Sequence, residues 1–411
     1  MKRKLLGTLL SVTMAVSLLA GCGSSGDSAP AANNNAGGND AAPANTEAAA
    51  EPAAPAESQA EAPATTADGG KIGISMPTQS LERWNRDGAY LNDQFKAAGY
   101  ETILTYSDNK SEQQVNDIQN MLAENVDLLI VAAIDGEALN MVMNEAADAN
   151  VPVIAYDRLI MNDAVSYYVS FDNYTVGKLQ GEFIVENLDL ENAGDSVYNL
   201  EITAGDPADN NAGYFYHGAM DVLNPYIESG TLNVVSGQTD FDTVATEQWN
   251  TDTALERAQN ILSSYYADGT QLDVWLCSND STALGVAQAI TSDYAGSNSV
   301  LITGQDGDEA NLKNIVDGIQ TMTVYKNVSN ESVVTLSLAQ AILSGETIDE
   351  SLLSSFDIEC AYDTESYETS AGNKCPSFLL VPNVITKDNL QDLVDTGLYT
   401  MGEDGYLSAT N

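Results

Sequence analysis

The chain has 411 residues, with 60 acids against 15 bases and a formal net charge of −45. A phosphate-backbone footprint needs clustered Lys and Arg, so this balance excludes nucleic-acid binding. One histidine and no Cys-x-x-Cys leave neither a zinc site nor a redox dithiol in view, and no metal or cofactor is expected.

Lys2, Arg3 and Lys4 precede a mostly apolar run from Leu5 to Ala20. That is a charged start and an apolar stretch too short for a secure membrane span. It ends in Leu19-Ala20-Gly21-Cys22, which resembles the lipobox of bacterial lipoproteins. The resemblance implies that residues 1–21 are a signal peptide and that Cys22 becomes a lipid-bearing first residue. Residues 23–70 carry seven acids, no base and no large apolar side chain. Such a segment cannot offset its ordering entropy, so 22–70 reads as a tether. Its root-mean-square span is roughly 35–40 Å by flexible-chain scaling. The expected location is outside the cytoplasm, anchored to the cell membrane through Cys22. One lipid chain binds only marginally, so more than one is expected.

From Lys71 the pattern alternates. "KIGISM", "ETILTY", "DLLIVAA", "VPVIAY" and "SYYVSF" read as strands, separated by segments of helical spacing over 81–100, 111–126 and 136–151 and followed by one at 174–188. The pattern then restarts. "SVYNLEIT", "LNVVSG", "LDVWLC", "SVLITG" and "QTMTVY" are strands, with helices near 211–228, 245–267, 281–292 and 308–317. Continuous apolar strands alternating with helices predict parallel sheets covered on both faces. Two such units in succession predict an α/β protein with two similar lobes sharing a cleft.

Ligands of open parallel sheets bind beyond the carboxyl ends of the strands. There the sequence places "PTQSLERW", "DR", "AGDPADNN", "SND", "QD" and "KN", with Trp84 and Trp249 outside the strands. An Asp or Asn after a strand is, taken singly, a helix cap or turn former, which is the favoured reading for Asp206 and Asp280. The recurrence at six strand ends favours a binding site for the set. Carboxylates accept from hydroxyls, guanidinium and ammonium groups donate to them, and indoles pack on C–H faces, which together suit a neutral polyol ring. Trp275 alternates within a strand and reads as core, Cys277 as a buried small hydrophobe, and His217 as a surface residue. Cys360 and Cys375 bound a polar loop between two strand-like runs, and a disulfide between them is expected in an oxidising compartment.

"MPTQSLERW", "VIAYDRLI", "YYVSFDNYTVGKLQG", "AGDPADNNA", "SNDSTALG", "TGQDGDEA" and "TVYKN" occur in that order. Together they resemble the substrate-binding proteins of bacterial ABC sugar importers, in the xylose-binding and multiple-monosaccharide-binding branch, from Lys71 to about Leu398. The resemblance implies the type I periplasmic binding protein fold: two Rossmann-like lobes joined by a three-segment hinge, with the ligand in the cleft between them. It divides the body into a first lobe of 71–174 plus 327–349 and a second of 175–326 plus 350–411. Arg83 then bonds the sugar while Trp84 stacks on one face, and Asp157 and Arg158 grip adjacent hydroxyls. Asp209 and Asn211 approach from the second lobe, Trp249 closes the other face, and Asn279, Asp306 and Lys326 complete the hydrogen bonds. The cysteine-bounded loop at 360–375 departs from the family pattern.

The expected role is a monomeric receptor for an aldopentose or aldohexose pyranose such as xylose, glucose, galactose or arabinose. Its partners are the permease and ATPase of an importer. The alternative is a sensor presenting bound sugar to a histidine kinase or chemoreceptor. An enzyme is disfavoured: carboxylates paired with Arg and Lys are held ionised and suit hydroxyl recognition, and one histidine without Gly-x-Ser-x-Gly offers no serine triad. A repressor is excluded because a lipobox and tether stand where a DNA-binding headpiece would be.

Overall fold

The computed structural model describes residues 69–410. Cys22, the signal segment and all but the last two residues of the tether lie outside the described residues. Among the described residues no helix is long and apolar enough to cross a membrane.

The first half runs β1 (Gly69–Met76), α1 (Glu82–Ala97), β2 (Tyr100–Tyr106), α2 (Ser111–Ala123), β3 (Leu128–Val131), α3 (Asn140–Asp148), β4 (Val153–Tyr156) and β5 (Tyr167–Phe171). The second follows as α4 (Asn173–Asn187), β6 (Tyr198–Thr203), α5 (Asn210–Ser229), β7 (Leu232–Val234), α6 (Phe241–Val244), α7 (Thr251–Tyr265), β8 (Val274–Cys277), α8 (Asp280–Asp293), β9 (Leu301–Ile302), α9 (Glu309–Asp317) and β10 (Met322–Tyr325). The remainder is α10 (Val328–Leu343), β11 (Cys360–Asp363), β12 (Ser377–Leu380), β13 (Asn383–Thr386), α11 (Gln391–Asp395), β14 (Tyr399–Met401) and β15 (Leu407–Ala409).

Two sheets carry the lobes. The larger has the order β11-β12-β5-β4-β3-β1-β2, parallel except for β11, and the smaller is the parallel set β7-β6-β8-β9. Strand alternation divides the core of each. In the first, Leu128 and Ile130 join Ile72 and Ile74 on one face while Leu129 and Val131 face the other. In the second, Val274 and Leu276 lie opposite Trp275 and Cys277. Both faces are covered by helices, which is why these strands read as unbroken apolar runs. Trp275 and Cys277 are core as expected, and His217 is exposed.

The chain crosses between the lobes three times, after β5, after β10 and after β12. The third crossing corrects the expected division. Residues 350–380, placed with the second lobe, instead extend the first sheet, because the fully buried strand "SFLL" of β12 covers the otherwise open edge of β5. Only from β13 onward does the tail join the second lobe, pairing antiparallel with β10. At the first crossing α4 lies directly against α5. A Cβ on Gly177 would collide with the carbonyl of Phe215, and one on Gly218 with that of Tyr174, so both positions need glycine.

The expected disulfide is absent, and Cys277, Cys360 and Cys375 are all free thiols. Cys360 pairs with Leu380 in the antiparallel ladder, five residues beyond Cys375. At about 3.3 Å per residue that separates the two by roughly 16 Å, beyond the ~7 Å a disulfide spans. They also pack in the cores on opposite faces of the sheet. Burial pushes both thiols up to about 12. Hydrogen bonds close the loop instead: Thr369 N to Asn373 O at 2.8 Å, Cys375 N to Tyr367 O at 3.1 Å, and Asn373 Nδ2 to Asp163 Oδ2 at 2.8 Å. Buried Tyr367 meets Tyr168 of the first lobe and Tyr214 of the second edge-on, with ring centroids 5.1 and 5.2 Å away.

Candidate ligand-binding site

The carboxyl ends of both sheets converge on a small pocket between the lobes. Every residue predicted for the site lines it except Asn211, and Leu81, Phe215, Ser281 and Gln305 complete the wall.

Arg83 enters from the first turn of α1. Its Nε donates to Asp87 at 2.9 Å, one turn on, and its Nη1 to Asp306 of the second lobe at 2.8 Å. Nη2 reaches Asp157 at 2.8 Å and Glu331 at 3.0 Å. The guanidinium therefore carries four carboxylates and is itself 4% exposed. Glu331, fully buried behind it, is held well above the carboxylate range by burial and by neighbouring Asp157, against the pull of Arg83. Its Oε1 meets no partner among the described residues.

Asp157 follows β4 with φ of 56°, in the left-handed region that aspartate tolerates better than most residues. Its carbonyl is the anchor, accepting from Tyr168 Oη at 2.5 Å, Asn211 Nδ2 at 2.6 Å and Ser170 Oγ at 2.9 Å. Here the assignment of Asn211 is corrected. It stands behind the wall, and its Oδ1 accepts from Leu159 N at 3.2 Å and from Tyr168 Oη at 3.1 Å. It shapes Asp157 and has no face on the cavity. The Asp157 carboxylate accepts from Lys326 Nζ at 2.9 Å. Burial opposes its charge, yet Arg83 and Lys326 hold it far below the ordinary carboxylate range.

Arg158 donates Nη1 to Ala133 O at 3.0 Å, and its Nε lies 3.3 Å from Asp209 across the cleft. Its guanidinium also lies 5.0 Å from the centroid of Trp84. Asp209 caps α5 by accepting from Asn211 N at 2.9 Å and takes Trp249 Nε1 at 3.2 Å. Burial raises this carboxyl despite Arg158, so the expectation that pairing with cations depresses these acids holds for Asp157 and fails for Asp209. Trp249 has φ of 54° and packs edge-on to Phe215. Its indole runs where a Cβ on Gly205 would be, so Gly205 makes room for the wall.

Asn279 caps α8 in a reciprocal box with Thr282, accepting its N–H at 3.0 Å. That uses the amide oxygen and leaves the amino group for the cavity. Asp280 and Asp206 are structural, but neither is the helix cap favoured for it: Asn279 caps α8 and Asp209 caps α5. Asp280 takes the N–H groups of Gly307 and Asp308 at 2.9 Å each, and Asp206 takes those of Ala208 and Gln248 at 3.0 and 2.9 Å. Asp280 is thus a loop holder inside α8 and not its cap. Gln305 is the residue that sequence reasoning passed over most plainly. It precedes Asp306 in "GQD", is 2% exposed, lines the cavity, and its buried Oε1 has no partner among the described residues.

Like Asp209, the buried carboxyls of Glu201, Asp280, Asp308 and Glu331 are raised by burial, Asp308 to about 7. Such a group binds a proton in the folded chain at a pH where the unfolded chain has lost it. Its contribution to stability is full below the unfolded value and lost as pH rises through the folded one. The melting temperature should therefore rise between pH 8 and pH 6. A flat or falling profile across that window contradicts these assignments.

The arrangement joins two indoles, a phenyl ring and alternating cations and carboxylates around one pocket. It suits a small ring whose faces are apolar and whose edges donate and accept. A model for the periplasmic binding protein domain matches residues 72–347. The multiple sugar-binding periplasmic receptor ChvE of Rhizobium radiobacter is 39% identical over 343 residues, 82% of this chain and 93% of that receptor. The D-xylose-binding periplasmic protein of Escherichia coli is 33% identical over 330 residues, 79% of this chain and 89% of that protein. An ABC transporter solute binding protein from Clostridium phytofermentans, solved with bound β-D-glucose, is 46% identical at a TM-score of 0.76, covering 82% of this chain and 99% of its own. On sequence, fold and the architecture of its cleft, the chain belongs to the periplasmic binding protein family.

Proposed function

We propose that this protein is an extracytoplasmic receptor, anchored through lipidated Cys22, that binds one neutral monosaccharide pyranose between its lobes and hands it to an ABC permease. The observation that carries this reading is the cavity lining. Trp84 and Trp249 supply apolar faces, while Arg83, Arg158 and Lys326 are matched by Asp157, Asp209 and Asp306. The charges balance across the wall, with Asp87 and Glu331 adding acid behind it. An anionic sugar finds no unpaired cation there, whereas hydroxyls can insert between the paired groups and satisfy both.

The relatives support the class: receptors for multiple sugars and D-xylose in sequence, and a glucose-bound solute binding protein of an ABC transporter in structure. The last of these favours import over sensing. In mechanism, the open form samples closure, and a sugar bonded to Asp157 and Arg158 on one side and Asp209 and Asn279 on the other stabilises the closed one.

The test is thermal unfolding of the purified protein with D-xylose, D-glucose, D-galactose, L-arabinose, D-ribose and D-fructose in turn. A ligand at about 100 times its dissociation constant adds about 2.7 kcal/mol, enough to raise the melting temperature by a few degrees. At least one aldopyranose should do so. No shift with any of them, in protein freed of carried-over ligand, defeats the sugar assignment.

A further inference from the structure

We infer that Glu82 and Arg86, on the rim of the cleft and outside the cavity, form a latch between the lobes that sets the affinity for every ligand without touching one. The inference rests on the two-lobe receptor reading above.

Both residues belong to the first turns of α1, in the first lobe, and both bond to the loop 306–309 of the second. Arg86 Nη1 donates to Gly307 O at 3.1 Å and to Tyr399 Oη at 3.1 Å, and Nη2 to Asp306 O at 3.1 Å and Asp308 Oδ1 at 3.2 Å. Glu82 accepts from Arg86 at 3.1 Å and takes the N–H of Glu309 at 3.1 and 3.2 Å, the first residue of α9. A carboxylate there also meets the positive end of that helix. Tyr399 returns a bond to Gly307 O at 2.8 Å, so the C-terminal hairpin of β14 and β15 backs the loop from its own lobe.

These bonds differ in kind from the lobe-to-lobe ion pairs of the cavity wall. Arg83–Asp306 and Arg158–Asp209 line the cavity, and a ligand competes for their donors and acceptors. Neither Glu82 nor Arg86 lines the cavity. Their contacts with backbone carbonyls and an N–H group need no ligand atom and break only if α1 and the loop separate. Asp308 is buried beside Arg86, which lowers the cost of keeping its carboxyl in the closed interface. Closure energy supplied this way multiplies the affinity for each ligand by one common factor, because apparent affinity scales with the fraction of binding-competent protein.

The test compares wild type with Arg86→Met and, as the milder variant, Glu82→Gln. Folding is checked by far-UV circular dichroism. Calorimetric affinities are measured for every sugar of the panel that binds, and small-angle scattering is recorded without sugar. The expected result for Arg86→Met is a loss of tenfold or more that is the same for all ligands, with selectivity ratios unchanged. The radius of gyration without sugar should increase and return to the wild-type value at saturating sugar. Glu82→Gln should shift both in the same direction by less. Unchanged affinity and unchanged scattering in both folded variants overturn the latch, as does a loss that differs more than threefold between ligands. If no sugar binds even the wild type, the receptor reading fails while the scattering comparison still decides the latch.

Discussion

Replacing Asp157 with alanine should weaken sugar binding tenfold to a hundredfold or more, the largest loss at any single position of the wall. The side chain is the shared acceptor of Arg83 at 2.8 Å and Lys326 at 2.9 Å. Removing it takes one carboxylate from Arg83, the nearer of two from Lys326 and an acceptor from the ligand, and a buried group left unpaired costs about 1–3 kcal/mol. The backbone adds to the penalty, because alanine is a poorer occupant of φ 56° than aspartate. Asp157→Asn separates the two effects, since asparagine accepts that conformation and keeps an oxygen while losing the charge. Isothermal titration of both variants should give alanine weaker than asparagine, and asparagine weaker than wild type. Wild-type affinity in the alanine variant removes Asp157 from the site.

Replacing Arg83 with methionine should destabilise the fold itself, by about 3–5 kcal/mol, because breaking a buried ion pair leaves charge uncompensated. Arg83 answers Asp87, Asp157, Asp306 and Glu331 at once, and the first and last of these are fully buried. Lysine is no remedy, because one ammonium cannot reproduce a planar fork that points at carboxylates from both lobes. Urea unfolding should show a lowered midpoint with an unchanged slope. A midpoint equal to that of the wild type would mean that Lys326 and protonation of the acids carry the cluster without Arg83.

The cavity wall was legible where its residues directly follow strands or open helices. The alternation places the segments that hold Arg83 and Trp84 after β1, Asp157 and Arg158 after β4, Asn279 after β8 and Lys326 after β10 at one end of the sheets, while the choice of residue within each segment rests on the resemblance. Caps and ligand contacts also turn out to be compatible. Asp209 and Asn279 each cap a helix with one atom and line the cavity as well, so the two roles coexist at those positions.

What sequence did not disclose depends on contacts distant along the chain. Glu331 lies in the first turn of α10 and looks like a first-turn acid, and nothing local indicates that it backs Arg83 from 248 positions away. Phe215 and Leu81 carry no polar signal. The pairing of β12 with β5 joins segments more than two hundred residues apart, so the third crossing was set too early. The two cysteines bound a loop in sequence, but ladder register, which spacing cannot supply, puts them on opposite faces of the sheet.

The most direct test of the account is a calorimetric titration of D-glucose and D-xylose, each into protein unfolded, dialysed free of ligand and refolded. The account predicts one site per chain for at least one of the two, with binding abolished or severely weakened in Asp157→Ala. Absence of heat for both sugars in a correctly refolded chain, or binding that Asp157→Ala leaves intact, contradicts the claim that this cleft holds a monosaccharide.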